Sequence, residues 1–350
     1  MKKISVVLMN LGGPTSLDAV RPFLFNLFYD PAILRIPNPW RCLLAKLISW
    51  RRTPKALEIY KKIGGKSPLV EETKNQASAL ELLLNKQKNL SFRVSISMRY
   101  WHPFSCEAIK EVLQFNPAEI VLLPLYPQFS TTTTQSSFDN FYKELDRVGV
   151  SKSIHLIPCF FHRKEFLDVM EEEIRVHYRE AIPYGIPRIL WTAHGLPKKI
   201  IDGGDPYQKQ VEYTAVLLEE RLKDMGDFEG VICYQSRVGP LEWIGPYTED
   251  EIIRAGKEKT PLIIVPLSFV SEHSETLVEL DIEYKNIAEK KGVPFYGRVS
   301  TVRDHPRFIE GLEDMILETL SVKKSTPTFC FKEKDLCCLN HLKAYKSQRF

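Results

Sequence analysis

"ISVVLMNLGGP" (Ile4–Pro14) and "RILWTAHGLP" (Arg188–Pro197) are two versions of one phrase: an apolar, β-branched run, a polar residue, then Gly and Pro. Short continuous apolar runs bounded by turn formers are what strands buried on both faces require. Two more pairs follow in the same order. "RVSISMRYWHP" pairs with "GVICYQSRVGP", and "IVLLPLYPQFS" with "LIIVPLSFVSE". "SIHLIP" adds a seventh strand candidate. Between these runs lie helical patterns such as "TKNQASALELLLNKQ", "KEFLDVMEEEIRVHYR" and "QKQVEYTAVLLEERLKD". Alternating strands and helices predict an α/β protein with parallel sheets. The repeated order predicts two similar halves, the second beginning near residue 160.

The 350 residues suffice for one large or two medium domains with a sizeable core. A formal net charge of +4, with no finger, RNP or basic-zipper pattern, argues against a nucleic-acid partner. The start, "MKKISVVLMNLGGP", has two lysines and a six-residue apolar run that ends in Gly-Gly-Pro, and reads as a first strand rather than a leader. No stretch of 18 apolar residues predicts a membrane span. Seven cysteines are an odd count in a long chain: Cys42, Cys106, Cys159 and Cys233 are scattered, while Cys330, Cys337 and Cys338 cluster in the tail. A reducing cytosol is the expected compartment.

In open parallel sheets, ligands bind beyond the carboxyl ends of the strands. The polar residues there are Asn10, Arg99 with His102, Ser130 with its threonines, His194, Gln235 with Arg237, and Glu272 to Glu279. A cleft between the halves would collect most of them. "NLGGP" lacks both glycine-rich nucleotide fingerprints and reads as a tight turn. His194 alone could be a structural histidine; its place at a strand end, with acids after a later strand, favours a proton or metal role. No nucleophile elbow or cysteine nucleophile motif supports a hydrolytic triad.

The acids are in "FVSEHSETLVELDIEY" (Phe269–Tyr284), which has five acids and no Lys or Arg. At about 100° per residue, Glu272, Glu275, Glu279 and Glu283 share an arc of roughly 80°, with Asp281 opposite. Like charges at that spacing weaken a helix. Three readings remain open: a helix salt-bridged to distant bases, a calcium site (the EF-hand loop is absent), or a path for cations or protons. "FLFNLFYDPAILRIPNPWRCLLAKLISWRRTPK" is apolar and ends basic, and Pro31, Pro37 and Pro39 forbid a long helix across them. It could be core, an apolar lip over a pocket, or a membrane-facing surface, with Arg51 and Arg52 poised for carboxylates. "YPQFSTTTTQSS" is a hydroxyl-rich loop that could cap a helix.

Together these segments resemble the ferrochelatases, which insert ferrous iron into a porphyrin at the end of haem synthesis. The resemblance rests on "NLGGP", "RRTPK", Tyr60 to Pro68, "MRYWHP", "LPLYPQFS", "AHGLP", "GDPY", "YQSRVGPLEW" and "SFVSEHSETLVELDIEY", in family order across about residues 4 to 320. It implies two Rossmann-like domains, residues 1–160 and 161–320, with a porphyrin cleft between them and a Cys-containing tail from 321 to 350. The last helix could pack back on the first half. His194 matches the family's active-site histidine and Glu275 its metal-binding glutamate, with Glu272, Glu279 and Glu283 continuing an acidic path beside His273. Arg52, Tyr60, Ser67 and Tyr126 match porphyrin contacts; Leu11, Ser130, Thr132 and Trp243 match pocket positions.

Family membership implies a lyase taking Fe²⁺ and protoporphyrin IX as substrates, without organic cofactor. It leaves open coproporphyrin III or another metal, and a carrier without catalysis. Leu11 stands where coproporphyrin users tend to carry Tyr, which favours protoporphyrin. Some members hold a 2Fe-2S cluster; here Cys159, Cys330, Cys337 and Cys338 would supply it, though Cys337 and Cys338 are adjacent where the bacterial pattern has one residue between. The expected location is cytoplasmic, with peripheral membrane contact open and the oligomeric state undetermined.

Overall fold

The computed structural model describes residues 1–321, 336–338 and 342. The chain divides into two compact units, Met1–Cys159 with the described part of Ile309–Phe350, and Phe160–Phe308.

The first unit holds four parallel strands, β1 (Lys2–Asn10), β2 (Leu90–Met98), β3 (Glu119–Pro124) and β4 (Ser153–Leu156), in the order β2-β1-β3-β4. The second holds β5 (Arg188–His194), β6 (Glu229–Gln235), β7 (Leu262–Pro266) and β8 (Tyr296–Arg298), in the order β6-β5-β7-β8, also parallel. The two orders are the same, as the paired phrases predict. All seven expected runs lie on strands. β8 was missed because three residues are too few to show a period.

Burial follows the sequence pattern. Ile4 and Val6 to Met9 in β1, and Ile189 to Trp191 in β5, are almost wholly buried, so each central strand is covered on both faces. In each sheet the chain passes from its first strand to a neighbour on one side and then returns on the other. This places a topological switch point between β1 and β3, and another between β5 and β7. Residues following those four strands are therefore the ones placed for ligands.

The proline-rich segment resolves into two helices, Val20–Tyr29 and Trp40–Lys62. Pro31, Pro37 and Pro39 fall between them, so no helix crosses these prolines, as expected; a 23-residue helix starts directly after the last of them and continues through Pro54. The turn after β1 is tight, as expected. Gly12 has φ +79°, and a Cβ on Gly13 would come within 2.5 Å of Ser67.

A correction concerns the acids. Glu275–Tyr284 is a π-helix that runs into an α-helix at Lys285–Lys291. Glu272 precedes it. The four-acid stripe drawn at α-helical angles therefore does not hold: Glu272 lies outside the helix and bonds Arg298, while Glu275 and Glu279 still share one side, on Ser236.

Candidate active site

In the second unit, β5 ends at His194 and the chain after β7 carries Glu275, so both flank the switch point. His194 Nδ1 lies 2.9 Å from Glu275 Oε2. The histidine's main chain is fixed as well: Tyr207, from "GDPY", donates to its carbonyl at 2.9 Å and lies 3.0 Å from Ser268 Oγ. Trp243 stands edge-on to the imidazole, with ring centroids 6.3 Å apart.

Ser236 is a residue the sequence reasoning passed over, although "YQSRVGPLEW" contains it. Its φ of +65° is uncommon for a residue other than glycine. That turn aims its amide at Glu279 Oε1 (3.0 Å) and its hydroxyl at Oε2 of both Glu279 and Glu275, the latter at 3.3 Å. Tyr284 also donates to Glu279, at 3.0 Å. Gln235, held by Thr192, reaches Glu279 at 3.4 Å. His273 is buried, with Nε2 3.9 Å from Glu275.

These contacts separate the two carboxyls. Burial alone would raise Glu275; the His194 imidazole, His273 and the Ser236 hydroxyl outweigh it and hold the group at about 2. Glu279 shifts the other way, raised by burial and by the charge on Glu275. His194 is raised, because Glu275 and then Glu279 overcome its desolvation, whereas burial lowers His273. Titratable groups driven apart in this way can divide acid and base roles. One firmly ionised carboxylate can meet a dication while a more basic neighbour takes protons.

Glu272 turns elsewhere. Its Oε1 accepts from Arg298 at 2.7 Å and from the Thr301 amide and hydroxyl at 3.0 and 3.1 Å. Among the described residues, no three His, Cys, Asp or Glu side chains group as a closed metal cage. His194 and Glu275 form an open pair.

In the first unit, Leu11 follows β1 and packs on a cluster of Val20, Phe23, Leu24, Tyr60 and Tyr100. Arg52 lies over the Phe28 ring at 5.5 Å, and Phe28 joins the same cluster. Ser67 is tied to Pro14 by its amide, at 2.8 Å. After β3, buried Tyr126 lies 3.4 Å from Ser137 Oγ, and the Ser130 and Thr132 hydroxyls are 2.8 Å apart. Leu11 and Tyr60 thus share one apolar patch, with Arg52 at its edge. Arg99 forms a buried network: its guanidinium bonds Asp30 at 2.8 Å and Ser136 at 2.8 Å, while Tyr100 and Ser136 also donate to Asp30.

Cys159 and Cys338 are buried, with sulfurs 3.3 Å apart, and Cys337 is half-buried. Cys330 lies outside the described residues. Among the described residues, no helix is long and apolar enough to cross a membrane.

The ferrochelatase family profile matches residues 3–320. A ferrochelatase of Wolbachia sp. subsp. Drosophila simulans (strain wRi) is 51% identical over 317 residues, covering 91% of this chain and 99% of the relative. The chain belongs to the ferrochelatase family. A ferrochelatase of Rickettsia bellii (strain OSU 85-389) is 49% identical over 328 residues, covering 92% of this chain and 89% of its own. The fold is shared more widely. SirB from Bacillus subtilis with Fe³⁺ superposes with a TM-score of 0.54 at 13% identity, over 92% of this chain and 96% of its own. As a ferrochelatase, the chain is a lyase of haem biosynthesis that inserts ferrous iron into a porphyrin.

Proposed function

We propose that the porphyrin is protoporphyrin IX and that His194 and Glu275 carry the insertion. The observation behind the second part is the 2.9 Å pair at the switch point, backed by Glu279 through Ser236. Metallation replaces two pyrrole protons with one Fe²⁺. Glu275, held ionised, receives the dication; His194 and Glu279 take protons in turn. The protoporphyrin preference rests on Leu11, whose aliphatic side chain gives no hydrogen bond to the two additional carboxylates of coproporphyrin III. Arg52, Tyr60, Ser67, Tyr126, Ser130, Thr132 and Trp243 are proposed as the remaining porphyrin contacts. Anaerobic mixing with Fe²⁺ and each porphyrin, followed by visible spectra, tests the reading. Four-banded protoporphyrin should become metalloporphyrin faster than coproporphyrin III, and the reverse order overturns the assignment.

Membrane contact is proposed for the helix Trp40–Lys62. Trp40, Leu43, Leu47 and Trp50 are 66%, 55%, 48% and 59% exposed, and they share one stripe. Residues 31–57 contain six Lys or Arg and no acid, so an anionic lipid surface is the matching partner.

Cys159, Cys337 and Cys338, with Cys330, are proposed to hold a 2Fe-2S cluster. The donor set fits: two buried thiols already lie close enough to share one iron, since metal–sulfur bonds run about 2.3 Å. Metal insertion needs no electron transfer, so when bound the cluster would tie the tail to the end of the first unit. Anaerobic purification with visible and electron paramagnetic resonance spectra tests this, and an unchanged spectrum in Cys159→Ser refutes it.

A further inference from the structure

The acidic segment is gripped along one side by residues 296–303. Arg303 N donates to the Val270 carbonyl at 2.9 Å, and Tyr296 donates to the Leu280 carbonyl at 2.6 Å. Thr301 holds Glu272 through both its amide and its hydroxyl. Between these fasteners stands Arg298, the last residue of β8, paired in register with Ile264 of β7. Its Nε donates to Asp281 Oδ1 at 2.7 Å, one terminal nitrogen to Asp281 Oδ2, and the other to Glu272 Oε1 at 2.7 Å. One guanidinium, 10% exposed, therefore ties the residue before the π-helix to a residue near its far end.

Glu275 and Glu279 point to the opposite side, where Ser236 and His194 receive them. Four of the five acids are thus sorted. Glu272 and Asp281 share a fixed cation, while Glu275 and Glu279 meet neutral or titratable groups.

We propose that Arg298 is a positioning residue for metal insertion: by fixing Glu272 and Asp281 together, it sets how Glu275 and Glu279 are presented to His194 and keeps Glu272 from capturing the entering metal. The inference rests on His194 and Glu275 being the metal-handling pair. Planarity is what the role requires. A guanidinium satisfies one carboxylate with two parallel bonds and still reaches a second, whereas an ammonium is a point charge that fixes neither angle. Asp281 makes the idea testable, because both of its carboxylate oxygens go to Arg298.

The experiment measures KM for Fe²⁺, KM for protoporphyrin and kcat, together with calorimetric titration of Co²⁺ alone, for wild type, Arg298→Lys, Asp281→Asn and the double variant. Melting curves report the folded fraction. Outer groups that orient a metal ligand typically change affinity 10- to 100-fold. Each single variant should therefore raise the Fe²⁺ KM about 10-fold and weaken Co²⁺ binding alongside, with the porphyrin KM within about twofold of wild type. The double variant should be no worse than the worse single, because the clamp acts as one unit. A purely structural role predicts lower melting temperatures and a kcat scaled by folded fraction, with both KM values unchanged; that result, or additive effects, overturns the proposal. His194→Ala and Glu275→Gln separate the two layers. If they leave Co²⁺ affinity untouched, the site reading fails and the clamp with it. If they abolish binding while Asp281→Asn does not move it, the clamp alone falls.

Discussion

Glu275→Gln replaces a charge while keeping shape, and its effect can be worked from the His194 contact. Two unit charges 2.9 Å apart attract by about 6 kcal/mol at an effective dielectric constant near 20. The side chains of His194 and Glu275 are 36% and 29% exposed, so water screens part of this and desolvation offsets more. A net of about 1.5–3 kcal/mol is typical for a hydrogen bond to a charged group. At 1.4 kcal/mol per decade, that predicts a 10- to 100-fold rise in Fe²⁺ KM, with the porphyrin KM little changed. Anaerobic steady-state kinetics with each substrate varied would measure both. The pH axis gives an independent check. Glu275 sits at about 2 in the folded chain against an ordinary 4.5, so its contribution to stability is present above pH 4.5 and fades as pH falls toward 2. His194 is raised, so its share is full below its ordinary 6.5 and is lost as pH climbs through the raised value. Urea melts at stepped pH should show wild type losing more stability than Glu275→Gln below pH 4.5. Parallel stability curves, or a porphyrin KM that rises while the Fe²⁺ KM does not, would refute the reasoning.

His194→Ala should lower insertion at least about 100-fold, the usual scale for a positioned base, with circular dichroism unchanged; wild-type turnover would remove its role. Asp30→Ala strands the Arg99 guanidinium beside a buried gap and should destabilise the first unit by about 3–5 kcal/mol, read from denaturant melts; a loss under about 1 kcal/mol would show the network is slack. Trp40→Ser with Trp50→Ser should abolish co-sedimentation with anionic vesicles while leaving turnover of detergent-solubilised porphyrin near wild type; undiminished sedimentation would move the contact elsewhere.

The two similar halves and their strand ends were legible because the paired phrases carry them: apolar runs that end in a polar residue and a turn place Asn10 and His194 at strand ends. The meeting of His194 with Glu275 followed from both coming after strands of one half. Three things were hidden. The π-helix cannot be seen from a periodicity that assumes α-helical angles, so Glu272 was put on a stripe it does not share. Ser236 was hidden because its importance lies in a backbone angle, φ +65°, that no residue type announces. Arg298 was hidden because its partners are 17 and 26 residues away in sequence, and β8 is too short to reveal where its last side chain goes.

Asn10 and His194 close the equivalent strand in two sheets of the same order. The Asn10 amide donates to Thr73 and accepts from the Leu11 N–H, so it works as a local fastener of its own turn. His194 carries a ring that titrates. If the halves arose by duplication of one ancestral gene, this position is where the copies parted, one keeping a structural amide and the other a base. Exchanging the two side chains would then test lineage as much as chemistry: an imidazole at position 10 would stand by the Thr73 hydroxyl where His194 meets a carboxylate, and the older, undivided role of that strand end would come into view.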